Sequence, residues 1–124
     1  MKAIQRTMVF ALISMHAVSL RGGESPAAQQ EIDYLIRYIE NSEAHFIRNG
    51  EEYSAKEGAD HMRDKLKQAG NRVKTAEDFI AGIASKSYLS GKSYMVKMPD
   101  GKEIPTGPWL SEALAKYRSA KAKP

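Results

Sequence analysis

The stretch Phe46-Ile47-Arg48-Asn49-Gly50-Glu51-Glu52-Tyr53-Ser54-Ala55-Lys56-Glu57 decides the fold. Asn49-Gly50 tolerates the two positive φ angles of a type I′ turn, which predicts a tight hairpin over 46–53. Arms this short do not hold together alone in water, so helices must cover them. Ser54, followed three residues later by Glu57, is a capping box and predicts a helix directly after the second arm. A strand pair running into a helix points to the α+β class.

Working outward, the helix that Ser54 opens is expected to run to about Arg72, with Ala55, Ala59, Met62, Leu66, Ala69 and Val73 on its apolar face. Alanines on that stripe permit close packing. Gly58 and Gly70 each cost roughly 1 kcal/mol relative to alanine, so each needs a packing reason or a break. Thr75 caps a third helix, expected to reach about Ser85 with Phe79, Ile80 and Ile83 turned inward. A polar loop over 85–90 leads to a strand over 94–98, a Pro99-Asp100-Gly101 turn and a partner strand over 102–104. Pro105 ends the pairing, and a last helix is expected from Pro108, burying Trp109, Leu110, Ala113, Leu114 and Tyr117. Lys116, Arg118, Lys121 and Lys123 crowd its carboxyl end, where the helix dipole favours cations.

Upstream, Ile32, Leu35, Ile36 and Ile39 recur at i, i+3, i+4 and i+7 and predict a first helix over 26–41. The order is therefore α-ββ-α-α-ββ-α, one small α+β domain with short antiparallel hairpins packed on helices. The expected division is a signal peptide over 1–19, a flexible leader over 20–30, the domain over 31–119 and a frayed tail over 120–124. The signal-peptide reading rests on Lys2 and Arg6, on the apolar run from Met8 to Met15, and on small residues Ala17 and Ser19 before cleavage at Leu20. That run is shorter than the about 20 residues a membrane span needs, so an uncleaved anchor is the lesser alternative. The expected destination is the periplasm.

The chain has 124 residues, room for one domain, and no cysteine, which excludes disulfides, thiolate metal sites, a cysteine nucleophile and a lipoprotein anchor. Of 19 basic residues, removing Lys2 and Arg6 leaves 17 against 15 acidic ones, a net charge of +2. That balance argues against nucleic acid as a partner. The expected partner is an unidentified protein or envelope component, with no membrane association after cleavage and a monomeric state. No cofactor is expected. The mature chain keeps His45 and His61 without ligand spacing, so no metal is expected either.

Several segments carry a resemblance: Phe46-Ile47-Arg48-Asn49-Gly50, His61-Met62-Arg63-Asp64-Lys65-Leu66, Asn71-Arg72-Val73, Thr75-Ala76-Glu77-Asp78-Phe79-Ile80, Ala84-Ser85-Lys86-Ser87 and Ser90-Gly91-Lys92-Ser93-Tyr94. In this order and at these intervals they resemble the YfeK-like family of small exported bacterial proteins of unknown function. The likeness spans about 32–118. It implies a signal peptide, a single mixed α/β domain and no established activity.

Candidate functional residues fall in three places. Arg48, Asn49 and Tyr53 surround the hairpin tip, where an arginine fork suits a carboxylate or another anion. The turn is the stronger explanation of Asn49, and packing that of Tyr53. Glu57, His61 and Lys65 lie four apart on one helix face, which is also the pattern of ordinary solvated pairing. Lys86, Ser90 and Tyr94 belong to a serine- and lysine-rich segment. Ser85-Lys86 invites comparison with Ser–Lys hydrolases, although no oxyanion hole is apparent. Ser90-Gly91-Lys92-Ser93-Tyr94 fits S-G-x-x-Y, similar to the loop of periplasmic lysozyme inhibitors, although those are β-barrels. The resulting expectation is a small non-catalytic binding or interaction protein. A lysozyme inhibitor and a small hydrolase using Ser, Lys and His are the alternatives.

Overall fold

In the computed structural model, residues 25–87 and 90–123 are described. The expected signal peptide over 1–19 lies outside the described residues, as do residues 20–24 of the leader and Tyr88 and Leu89 of the polar loop.

The first helix, α1, covers Pro26–Asn41 and is capped by the Ser25 hydroxyl, which accepts from the Ala28 amide. These are the bounds expected for the first helix, so the part of the leader over 26–30 is helical: a capping serine followed by proline favours a helix start. Strands β1 (His45–Arg48) and β2 (Glu51–Tyr53) form the expected hairpin, with Asn49 at φ 52° and Gly50 at φ 81°. Helix α2 (Ala55–Ala69) opens with the reciprocal Ser54–Glu57 capping box.

Both glycines of that helix have a physical reason. A Cβ on Gly58 would stand 2.8 Å from the Cβ of Phe46, so α2 approaches β1 only because the side chain is missing. Gly70, at φ 56°, ends α2 and begins a 3₁₀ turn, Gly70–Arg72. Helix α3 (Ala76–Phe79) has its own capping box from Thr75 and Asp78. The third helix is not regular to Ser85 as expected: Ile80–Ala84 widens into a π-helical turn, and the Ser85 hydroxyl donates to the Ile80 carbonyl at 2.6 Å.

Strands β3 (Met95–Lys97) and β4 (Glu103–Pro105) complete one antiparallel sheet in the order β2-β1-β3-β4. Helix α4 spans Thr106–Ala122. It starts two residues before the expected Pro108, because the Thr106 amide bonds back to the Tyr94 carbonyl at 2.9 Å. Pro108 then lies in the first turn, where a missing donor costs little. Pro105 is still the last residue of β4, opposite Met95. The helix also continues past Ser119, through what was expected to be a frayed tail. Arg118 does more than meet the helix dipole. Its guanidinium binds both Glu31 on α1 and Glu77 on α3, joining three helices.

The core follows from the two periodicities. Ile32, Leu35, Ile36 and Ile39 of α1, Ala59, Met62 and Leu66 of α2, and Leu110, Ala113 and Leu114 of α4 are buried against one another. The sheet adds Phe46, Val96 and Tyr94, which share one face of it because side chains alternate along a strand.

Candidate functional site

The period of two in β1 places Arg48 on the same face as Phe46, toward α2. Tyr53 stands opposite Phe46 in the register and joins that face. The period of 3.6 in α2 lines up Glu57, Asp60, His61 and Asp64. These residues and Phe46 enclose a cleft of about 300 Å³. The structure thus brings Arg48, Tyr53, Glu57 and His61, four of the residues singled out above, into one concavity.

Its electrostatics are specific. Burial, followed by the charges of Arg48 and Lys65, holds the His61 imidazole below the ordinary histidine range, so it is neutral near pH 7. The Tyr53 hydroxyl donates to Glu51 at 2.8 Å, which pushes the phenol above its usual range. Lys56 and Arg63 hold Asp60 as a carboxylate, below the usual range.

Lys65 and Tyr94 lie behind His61 rather than in the cleft. The Lys65 ammonium donates to the Ile83 carbonyl at 2.7 Å, to the Lys86 carbonyl at 3.3 Å and to the Tyr94 hydroxyl at 2.9 Å. It therefore caps the carboxyl end of the π-helical turn, and Tyr94 is only 1% exposed. Of Lys86, only the backbone carbonyl takes part; the residue is exposed. The committed Ser85 hydroxyl and the outward Lys86 do not make a nucleophile–base pair. Ser90 is exposed and donates to the Asn49 side-chain oxygen at 2.5 Å, hooking the polar loop to the hairpin tip. The S-G-x-x-Y motif is thus split, with Ser90 on the surface and Tyr94 in the core.

A larger concavity of about 610 Å³, which no motif in the sequence announced, lies between α1 and α4. Tyr34 and Tyr38 of α1, with Trp109 and Tyr117 of α4, form its aromatic wall. Tyr34 stacks on Tyr117 at 4.3 Å between ring centroids, and Tyr38 tilts against Trp109 at 5.0 Å. Gln30, Asp33, Arg37 and Asn41 run along α1 beside these rings, and Met98 closes one end. The available signal was the i, i+4 pair of tyrosines on a helix whose other face was already complete.

Among the described residues, no cluster of three or more His, Asp or Glu is arranged to hold a metal ion. No helix among them is long and apolar enough to cross a membrane.

Comparison with known proteins gives the chain a family but no activity. The uncharacterized protein YfeK of Salmonella typhimurium (strain LT2) is 45% identical over 49 residues, which cover 40% of this chain and 41% of that protein. No solved structure matches. The model of the family of unknown function DUF5329 matches residues 26–118, from the start of α1 through most of α4, and the chain belongs to that family.

Proposed function

We propose that this is an exported, non-catalytic binding protein that holds a segment of a neutral glycan along the groove between α1 and α4. The observation that carries the reading is the four-ring wall beside a polar rail. Gln30, Asp33, Arg37 and Asn41 recur at three- and four-residue spacings, so they form one line along α1. The eleven steps of about 1.5 Å from Gln30 to Asn41 make that line about 16 Å long, which suits an extended ligand. Asp33 and Arg37 balance in charge, so the rail favours no net charge on the ligand. Carboxylate, carboxamide and guanidinium heads match hydroxyl groups, which both donate and accept. A proline-rich strand would offer carbonyl acceptors but few donors. The rings supply apolar faces for sugar rings, and the volume falls within the range of small-molecule sites.

Calorimetric titration with N-acetylglucosamine oligomers tests this. Affinity should rise with oligomer length until the ligand spans the rail. Failure of every oligomer to bind at roughly millimolar concentration, with binding of a proline-rich peptide instead, overturns the glycan reading. Export rests on the basic start and short apolar run before residue 20. Fractionation of a Gram-negative host should return a shortened chain from the periplasm, and full-length chain in the cytosol contradicts export.

A further inference from the structure

We infer that the cleft between β1 and α2 is a second, independent site, which binds a small zwitterion: an amino acid or short peptide with a free carboxylate and a free amine. The first observation is Arg48. Its Nε is buried without a hydrogen-bond partner, and the guanidinium, which lies beside the Tyr53 hydroxyl, forms no ion pair among the described residues. Buried polar atoms in folded proteins nearly always have partners, and an orphan at a concave surface points to a ligand. A guanidinium presents parallel donors in a fork that matches a carboxylate.

A simple anion does not fit the rest of the cleft, because three carboxylates line it beside that single arginine. Two of them are engaged. Asp60 is held by Lys56 and Arg63, and Glu57 accepts from the Ser54 amide. Asp64 forms no ion pair among the described residues and lies one helical turn beyond His61. The cleft therefore presents a cationic fork on the strand, an acceptor on the helix and a neutral imidazole between them. A ligand with charges of both signs satisfies both ends, whereas a singly charged one leaves one end unmatched. The volume of about 300 Å³ suits one or two small residues.

Titration of the isotope-labelled chain, read from amide NMR shifts around Arg48 and Asp64, tests the inference with three probes: alanyl-alanine, its N-acetyl derivative and its C-terminal amide. Alanyl-alanine should bind, and each blocked form should bind at least about tenfold more weakly. Arg48→Gln and Asp64→Asn should each lose at least about tenfold in affinity while unfolding at an unchanged temperature. Equal binding of the N-acetyl form would make this an anion site and overturn the inference. So would the absence of shifts with all three probes at roughly 10 mM, or full binding by Arg48→Gln. The readout is local to this cleft, so its failure leaves the glycan reading of the groove untouched.

Discussion

Two aromatic clusters lie in different parts of the domain, one where β1 and Tyr94 meet α2 and one between α1 and α4, and each contains tyrosine. On one side Tyr94 packs against Phe46 at 5.1 Å and lies edge-on to His61 at 6.1 Å, with Lys65 above its ring. On the other, Tyr34, Tyr38, Trp109 and Tyr117 pack at 4.3 to 6.1 Å. The difference is closure. Tyr94 is almost wholly buried and its hydroxyl is bonded to Lys65, whereas Tyr34, Tyr38 and Tyr117 stay half-exposed around an open groove. A closed aromatic cluster with satisfied polar atoms stabilises the fold. An open one retains surface that a ligand can cover. The same contrast separates Lys65, whose donors are all directed at the protein's own oxygens, from Arg48, whose Nε has no partner.

Substitutions can break or sharpen this contrast, and the closed side should respond most. Tyr94→Ala should cost about 3–5 kcal/mol, the usual loss for a fully buried ring, and denaturant unfolding measures it. Lys65→Met keeps the apolar stem but takes the donor from the Ile83 carbonyl and leaves the Tyr94 hydroxyl with only its 3.5 Å contact to His61, so a loss of about 2 kcal/mol is expected in the same assay. Gly58→Ala gains helix propensity yet drives a methyl into Phe46; the net loss should be about 1 kcal/mol, and a gain in melting temperature would show that α2 can move off β1. Tyr34→Ala, on the open side, should cost clearly less than Tyr94→Ala, because the ring is only partly buried, while removing ligand binding.

The smallest effect is a pH slope. A histidine whose folded pKa is depressed contributes stability fully above its unfolded value near 6.5 and loses it as pH falls through the folded value. Stability should therefore decline as pH drops from about 7 toward 5, and His61→Gln should flatten part of that decline. The depressed carboxylates Glu40, Glu52, Asp60 and Glu77 act in the same direction but only at lower pH, as each is protonated.

The parts of the fold legible in the sequence are those fixed by neighbours in the chain. Asn49-Gly50 made its turn, Ser54 with Glu57 and Thr75 with Asp78 made their caps, and the period of α1 named its buried face. What stayed hidden depends on distant residues. The π-helical turn carries the same apolar spacing as an α-helix, and its end is held by Lys65 from another helix. The start of α4 is drawn forward by a bond to Tyr94, which no local signal reveals. Arg48, Tyr53 and His61 were visible one by one, and the structure supplies their convergence. The groove was invisible because its rings come from helices at opposite ends of the chain; Trp109 is buried as its spacing predicts, whereas Tyr117, expected beside it in the core, is only partly buried.

Trp109 is the sole tryptophan of the chain and stands in the wall of the groove, so its fluorescence reports directly on occupancy. Titrating the purified chain with an N-acetylglucosamine oligomer should change that fluorescence saturably, with the change abolished in Tyr34→Ala and retained in Arg48→Gln. An unchanged signal, or one that persists in Tyr34→Ala, would contradict the proposal that the groove binds a glycan.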